Sequence, residues 1–468
     1  MPVTHRLRIA TSHIEKVVMV TVEAIRSTSE RKPPLDKRAW GIVIFMFLFF
    51  TLNFADKAAV GLASTQIRED LGLSAGQYGL LSSAFFWMFA LGAVVLSAAL
   101  RKISYTWGAG LLMASWVLCM LPLTVQTSFG VLLAARVALG FFEGPAHALC
   151  QSIVADRFAP EKRATAGAIV NAGSSVGPLV AAPTLTWVIL TWHWHGAFVV
   201  LVAVGTLWII GWAWFSERLP FRKGAEATST VAKAEKKIDP NGHIVVPFHR
   251  LLTLRSFWGL VMLSFAGYLI SSLKVAWLPA YMHEGLGYSS SSVGTLVTIP
   301  YAVAVVFLLS AGMLSGRLLR RGYSSRVARG YLTTAYLVFG GLSMVVFTQL
   351  ERGPIQLVLV ICGFAVNSVA FSVAFAGASD FLPAHQRVGF FGCIIAAYSV
   401  AGIVAPYVLG VIVDHAATPA EGYATGFMYV GIAVCVFGII GGLMLNPERA
   451  RRTLEKLTLE YAAKEDAR

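Results

Sequence analysis

Apolar runs long enough to cross a hydrocarbon core of ~30 Å recur along this chain about every 30 to 40 residues. Main-chain N–H and C=O groups cannot go unpaired in lipid, so each run must be a helix. Twelve runs can be placed, near 40–64, 78–100, 106–122, 129–154, 166–190, 197–215, 257–281, 293–316, 330–349, 355–377, 389–413 and 424–445. Charged residues make up only 13% of the chain, about half the share of a soluble domain. The expected fold is therefore an all-α membrane protein of twelve transmembrane helices in two six-helix bundles. These are an N-terminal bundle (40–215) and a C-terminal bundle (257–445), joined by a linker (216–256) and flanked by tails (1–39 and 446–468). The linker is too short and polar to build a soluble domain.

The formal charge of +14 would fit a nucleic-acid partner, but its placement excludes that reading. Of the 38 Lys and Arg, 33 fall in the two tails, the linker and the alternate loops that share their side. Only Arg68 and Arg352 lie in the opposite loops. This bias places both tails and the linker in the cytoplasm, where attraction to anionic lipid headgroups is a side effect. The stretch Val17–Ile25 is short, carries Glu23 and lacks a small-residue cleavage site, so it is no signal peptide; Met19 is an alternative start.

The remaining three cations, Lys57, Arg136 and Lys274, sit inside apolar runs, with the acids Asp56 and Glu143 beside or near the first two. Each such charge costs roughly 2.5 to 3.5 kcal/mol at the bilayer centre, so five of them point to charged cargo. Asp56 and Lys57 are adjacent and diverge by ~100° on a helix. A structural ion pair at a helix end is the plainer alternative for them, but the apolar run Ala58–Ser64 continues beyond. Arg136 and Glu143 are seven residues apart, on one face but ~10 Å apart along the axis. Gly144-Pro145 loosens the helix next to Glu143, which favours Glu143 as a proton carrier with Asp56 second. A static pair locking the first and fourth helices is the alternative. His147, four residues on, either extends a proton path or satisfies a buried hydrogen bond. Lys274 has no acid within a turn and calls for an anion, a substrate carboxylate or one of the two acids.

Asn171, Ser174 and Ser175 form a polar patch beside Gly173-x-x-x-Gly177-Pro178, a spacing more typical of close helix packing than of ligand contact. Asn367, Ser368, Ser372, Tyr398 and Ser399 are weaker candidates. His193 and His195 with Trp192 and Trp194 read as an interfacial belt, not metal ligands. Five scattered cysteines give no metal or disulfide pattern. Hydrolase, zinc-protease and Walker-type nucleotide motifs are absent from the sequence, which argues against an enzyme or ATP-driven pump.

Asn53-Phe-Ala-Asp56-Lys57, Arg136-Val-Ala-Leu-Gly140-Phe-Phe-Glu143-Gly-Pro145 and Phe158-Ala-Pro160-Glu-Lys-Arg163 resemble motifs of the major facilitator superfamily, and within it the anion:cation symporter family. Trp277-Leu-Pro279-Ala-Tyr281 and Ile299-Pro300-Tyr301 are similar to its seventh and eighth helices. That family includes bacterial hexuronate, galactonate and phthalate transporters. The resemblance implies that Asp56 and Glu143 are the protonation pair, Lys57 the cation for a substrate carboxylate, and Arg136 a modulator of Glu143. It places Phe89, Ser174 and Ser399 at the substrate; Trp277 and the unpaired Lys274 are candidates beside them, and His147, four residues from Glu143, is a candidate coupling residue. Lys57 stands where the family has Arg, losing a bidentate grip. Phe89 replaces a Tyr, and Ser174 and Ser399 replace Gln and Asn, so the loss of hydroxyl-binding groups favours an aromatic or short, less polar carboxylate over a sugar acid. The loop signature that normally carries Asp has Leu100 and Gly316 instead.

The expected function is proton-coupled uptake of a small organic anion across a bacterial inner membrane, by a monomer using protons as coupling ion and no other cofactor. A drug/proton antiporter is the first rival, raised by Gly173-x-x-x-Gly177-Pro178, although Ala181 stands where that motif has glycine. A non-transporting nutrient sensor is the second, and the linker and tail leave little room for an output domain.

Overall fold

The computed structural model describes residues 37–100, 103–125, 128–158, 160–216, 246–382 and 384–466. Most of the N-terminal tail and of the linker therefore lie outside the described residues. Among the described residues, eleven helices are long and apolar enough to cross a membrane. One of them, Pro160–Ser216, is two spans joined at a turn where Trp192 and His193 leave helical geometry, which makes twelve.

We number the spans in order: α1 (Lys37–Leu62), α2 (Ala75–Leu100), α3 (Tyr105–Met120), α4 (Phe129–Glu143, continued by Ala146–Arg157), and α5 and α6 (the arms 160–191 and 194–216). The second half comprises α7 (Arg255–Ala276), α8 (Ser290–Leu296 and Thr298–Arg320), α9 (Leu332–Phe347), α10 (Pro354–Ala365 and Asn367–Ser379), α11 (Ala384–Asp414) and α12 (Pro419–Met444). A last helix, Pro447–Asp466, follows on the side of the basic loops. The opposite side, reached by the 1–2, 5–6, 7–8 and 11–12 connections, is the distal face.

Small residues set the helix contacts, as they must where lipid supplies no hydrophobic drive between apolar surfaces. Gly173 and Gly177 bring α5 against the α1 main chain at Phe47, Thr51 and Ala55, so this spacing is helix packing. Gly140 and Gly144 do the same for α4 against the α2 backbone at Phe85 and Phe89. The two halves meet along α2 and α11. There Gly79 lies on the main chain of Pro406, Gly410 on that of Ala75, and Gly402 on the Phe86 ring.

Polar clasps join the halves at the distal face. Arg68, on the short helix Ser64–Leu71, pairs with Glu284 at 2.8 and 3.0 Å, and Tyr423 donates to the same carboxylate at 3.0 Å. Burial is the largest influence on the Arg68 charge and works against it, but Glu284 and the neighbouring tyrosines together outweigh it and hold the guanidinium pKa above its ordinary value. A raised pKa means that this contribution is complete below the ordinary arginine pKa and is lost only above it, so Arg68 stays charged across the neutral range. Asp414, at the end of α11, accepts from Ser74 Oγ (2.7 Å) and from the amides of Ala75 and Gly76 (2.6 Å each), capping the N-terminus of α2 from the other half. Between these clasps Tyr78 donates to the carbonyls of Val60 (3.0 Å) and Ala276 (3.1 Å), and its ring lies edge-on to Trp277.

Candidate transport site

Burying Lys57 and Glu143 without partners would be costly, and α1 and α4 are held so that each answers the other. Lys57 Nζ donates to Glu143 Oε2 in a close ion pair, to Asn53 Oδ1 at 2.8 Å, and to the Asn53 carbonyl one turn back at 2.7 Å. Asn53 Nδ2 completes the network by donating to Glu143 Oε2 at 2.7 Å. Both contacts to Glu143 fall on one oxygen; Oε1 has no hydrogen-bond partner among the described residues. Asp56 faces the same carboxyl, with Lys57 and Arg136 in electrostatic reach. Asp56 Oδ1 also lacks a partner among the described residues, and the residue borders a cavity of about 10 Å³ lined by Trp116, Met113, Met120 and Leu201.

The register of α4 on α2 gives both cations an aromatic floor. Arg136 lies 4.9 Å from the centre of the Phe85 ring, and Lys57 lies 5.1 Å from the same ring and 4.8 Å from Phe54. Ring faces carry the negative end of a quadrupole, so such contacts support a desolvated cation. Arg136 is buried with the two acids as electrostatic neighbours, but its guanidinium rests on Phe85 rather than bridging to Glu143. That agrees with the ~10 Å offset expected from a seven-residue spacing.

Across the seam, Lys274 is also buried. Its Nζ donates to Asn367 Oδ1 at 2.9 Å and lies 4.4 Å from the Tyr301 ring centre, and Asn367 in turn donates to Ser271 Oγ at 3.3 Å. The partner of Lys274 is thus a neutral amide and a ring, not Asp56 or Glu143. A chain of rings leads from the Lys57 site across the seam into the other half: Phe85 to Phe86, Phe86 to Tyr268, and Tyr268 to Tyr398 and Phe371, at centroid distances of 4.7 to 6.1 Å.

The other residues singled out from the sequence divide. Phe89 packs on Phe85 at 5.6 Å and so adjoins the Lys57 network. Ser174 and Ser399 spend their hydroxyls on carbonyls of their own helices, those of Asn171 and Ile395. His147 hydrogen-bonds Asn171 on α5 and packs against Phe50, turning away from Glu143. Trp277 is fully buried, donating to the Pro406 carbonyl of its own half at 3.0 Å and meeting the Tyr78 ring of the other half edge-on, so it serves the distal contact between halves and not the ring chain. Asn53 and Tyr301 lie in quoted motifs but gave no signal of their role beyond position. Arg68, Glu284 and Asp414 act only through contacts between halves.

Twelve spans in two halves, with cations buried on both sides of the seam and two acids buried on one, define a membrane transporter fold. The model of the Major Facilitator Superfamily matches residues 45–406. The chain belongs to the Major Facilitator Superfamily, a class of multi-pass membrane transporters and not of enzymes. The hexuronate transporter of Bacillus subtilis is 26% identical over 392 residues, 81% of this chain and 88% of that protein. The D-galactonate transporter of Escherichia coli is 24% identical over 434 residues, covering 87% and 96%. A probable sulfoacetate transporter of Cupriavidus necator is 24% identical over 414 residues, covering 86% and 92%. These relatives form an anion:cation symporter-like group. Among solved structures, an inward-facing, unoccupied bacterial homolog of the human lysosomal transporter Spinster superposes with TM-score 0.72 at 17% identity, over 91% of this chain and 99% of that one. A D-xylose-proton symporter superposes with TM-score 0.68 at 14% identity, over 88% and 99%. At these identities the structural likeness is one of fold.

Proposed function

We propose that the protein takes up a small organic carboxylate together with protons across a bacterial inner membrane, with its basic loops and both termini on the cytoplasmic side. The observation that carries this reading is the Lys57–Asn53–Glu143 network. Lys57 can hold one carboxylate at a time. While Glu143 is ionised it holds Lys57; once protonated it releases the ammonium to a substrate carboxylate. A proton and an anion are then admitted together, and Asp56, facing Glu143, is placed to pass the proton on. Arg136 sets the field around both acids. Rocking of the halves about the α2–α11 seam, with the distal clasps opening and closing, supplies alternating access.

Energetics favour coupling. Moving a monoanion inward against an inside-negative potential costs about 2.3 kcal/mol per 100 mV, and one proton cancels that cost. The relatives named above are transporters of hexuronate, galactonate and sulfoacetate, all organic anions. The rings leading from Lys57 into the other half, and the serines turned to their own helices, support a carboxylate with an aromatic or short apolar body, with Lys274 taking a second anionic group.

Glu143→Gln tests the coupling. The variant keeps an oxygen for Lys57 and Asn53 but cannot titrate. In proteoliposomes loaded with the correct carboxylate, identified by thermal-shift screening of mono- and dicarboxylates, it should lose uptake driven by a pH gradient and keep counterflow exchange. Undiminished gradient-driven uptake would remove Glu143 from the coupling path.

A further inference from the structure

His193 is the only non-glycine residue with positive φ among those described, at φ 65° and ψ 170°. That region is essentially glycine's own, and a side chain held there signals that the surrounding structure imposes the conformation. The turn between α5 and α6 thereby brings the His193 ring against His195, with Nδ1 atoms 3.3 Å apart. It also brings His193 Nε2 within 3.3 Å of Asp70 Oδ2, which arrives from the short helix Ser64–Leu71. The sequence places the two histidines in an interfacial belt; the fold adds a carboxylate from more than a hundred residues away.

We propose that Asp70, His193 and His195 bind one divalent transition-metal ion of the Zn²⁺ type at the distal face. One ligand atom from each of the three lies within 4.8 Å of the others. Tetrahedral ligands 2.0–2.1 Å from zinc stand roughly 3.3 Å apart, so closure needs ring rotations of an ångström or so in exposed side chains. Two imidazoles and one carboxylate select zinc, copper or nickel over magnesium and calcium, and leave a coordination position for water. Trp194 supports the set from behind: its Nε1 donates to Asp70 Oδ2 at 2.7 Å, and its ring stacks on His195 with centroids 3.7 Å apart. Partners of this kind fix the orientation of metal ligands. All three ligands belong to the N-terminal half, so the ion ties the Ser64–Leu71 helix, which carries Arg68 of the clasp, to the α5–α6 turn without bridging the moving halves.

The test uses the full-length protein in detergent, purified without a polyhistidine tag and titrated with zinc chloride and, separately, magnesium chloride by calorimetry and thermal unfolding. The expected result is one zinc per chain, a raised unfolding temperature with zinc, and neither with magnesium. Asp70→Asn, which keeps an acceptor for Trp194, and His195→Ala should each weaken zinc binding at least tenfold. His193→Gly relieves the strained backbone, so in metal-free buffer it should unfold no earlier than wild type while losing zinc binding. Zinc affinity unchanged in His193→Gly and His195→Ala, or no saturable one-to-one binding by the wild type, overturns the proposal.

Discussion

Asp414→Ala removes the polar clasp at the end of the α2–α11 seam, and its size can be worked from the contacts. The carboxylate accepts three hydrogen bonds of 2.6 to 2.7 Å, two of them from the first amides of α2. Hydrogen bonds to a charged group contribute about 1.5–3 kcal/mol each when buried, and a negative charge at a helix N-terminus a further 0.3–1 kcal/mol. Three offsets reduce that sum. Asp414 is exposed, so water and salt screen it. When the halves part, the carboxylate regains its hydration. The helix end also keeps its own cap, because Ser74 and Gln77 satisfy each other, Ser74 N to Gln77 Oε1 at 2.9 Å and Gln77 N to Ser74 Oγ at 3.2 Å. What remains is about 1–2 kcal/mol in favour of the conformer closed at this face, a factor of roughly 5 to 30 in population. The assay is a pair of spin labels or fluorophores across the distal face, one on each half, read in liposomes. Asp414→Ala should raise the open population by that factor and Asp414→Asn by less, with the wild-type bias shrinking in high salt. An open population equal to wild type in both variants would refute the clasp.

Two further outcomes follow from the site and its packing. Lys274→Ala should abolish most of the thermal stabilisation given by the preferred carboxylate, and Lys274→Arg should fail to restore it, because the longer planar head cannot keep both Asn367 and the Tyr301 ring; this is checked by ligand titration of unfolding temperature. Gly177→Ala drives a Cβ into the Thr51 carbonyl of α1, and overpacking of this kind should destabilise the protein by about 1–3 kcal/mol, seen as a lowered unfolding temperature without any change in which ligands stabilise it.

The twelve spans were legible because hydropathy and length are properties of each segment alone. The count needed one reading that length does not give, since Pro160–Ser216 runs continuously until Trp192 and His193 break it. Lys57, Glu143 and Lys274 stood out because charge in lipid is costly wherever it lies. Their partners did not stand out. Spacing along α4 says which face Glu143 shares with Arg136, but only the placement of α1 beside α4 brings Lys57 to it, and that placement depends on glycines elsewhere, Gly173 and Gly177 of α5 against α1 and Gly140 and Gly144 of α4 against α2. Trp277, Ser174 and Ser399 show the same limit: each is a plausible wall residue by position, yet the side chain's direction depends on neighbours far along the chain. Arg68, Glu284, Asp414 and Asp70 are exposed-loop charges in the sequence, and they acquire roles only when loops from different helices meet.

The glycines of the α2–α11 seam separate two quantities that a transporter must control. Where Gly79 and Gly410 bring main chain onto main chain, few side chains interlock, the Phe86 ring on Gly402 being the main one, so one half can turn on the other with few teeth to disengage. The joint behaves as a plain bearing, and the clasps at its rim act as the detent. Substitutions in the bearing should therefore alter how fast the halves exchange positions, whereas substitutions in the detent should alter which position they rest in.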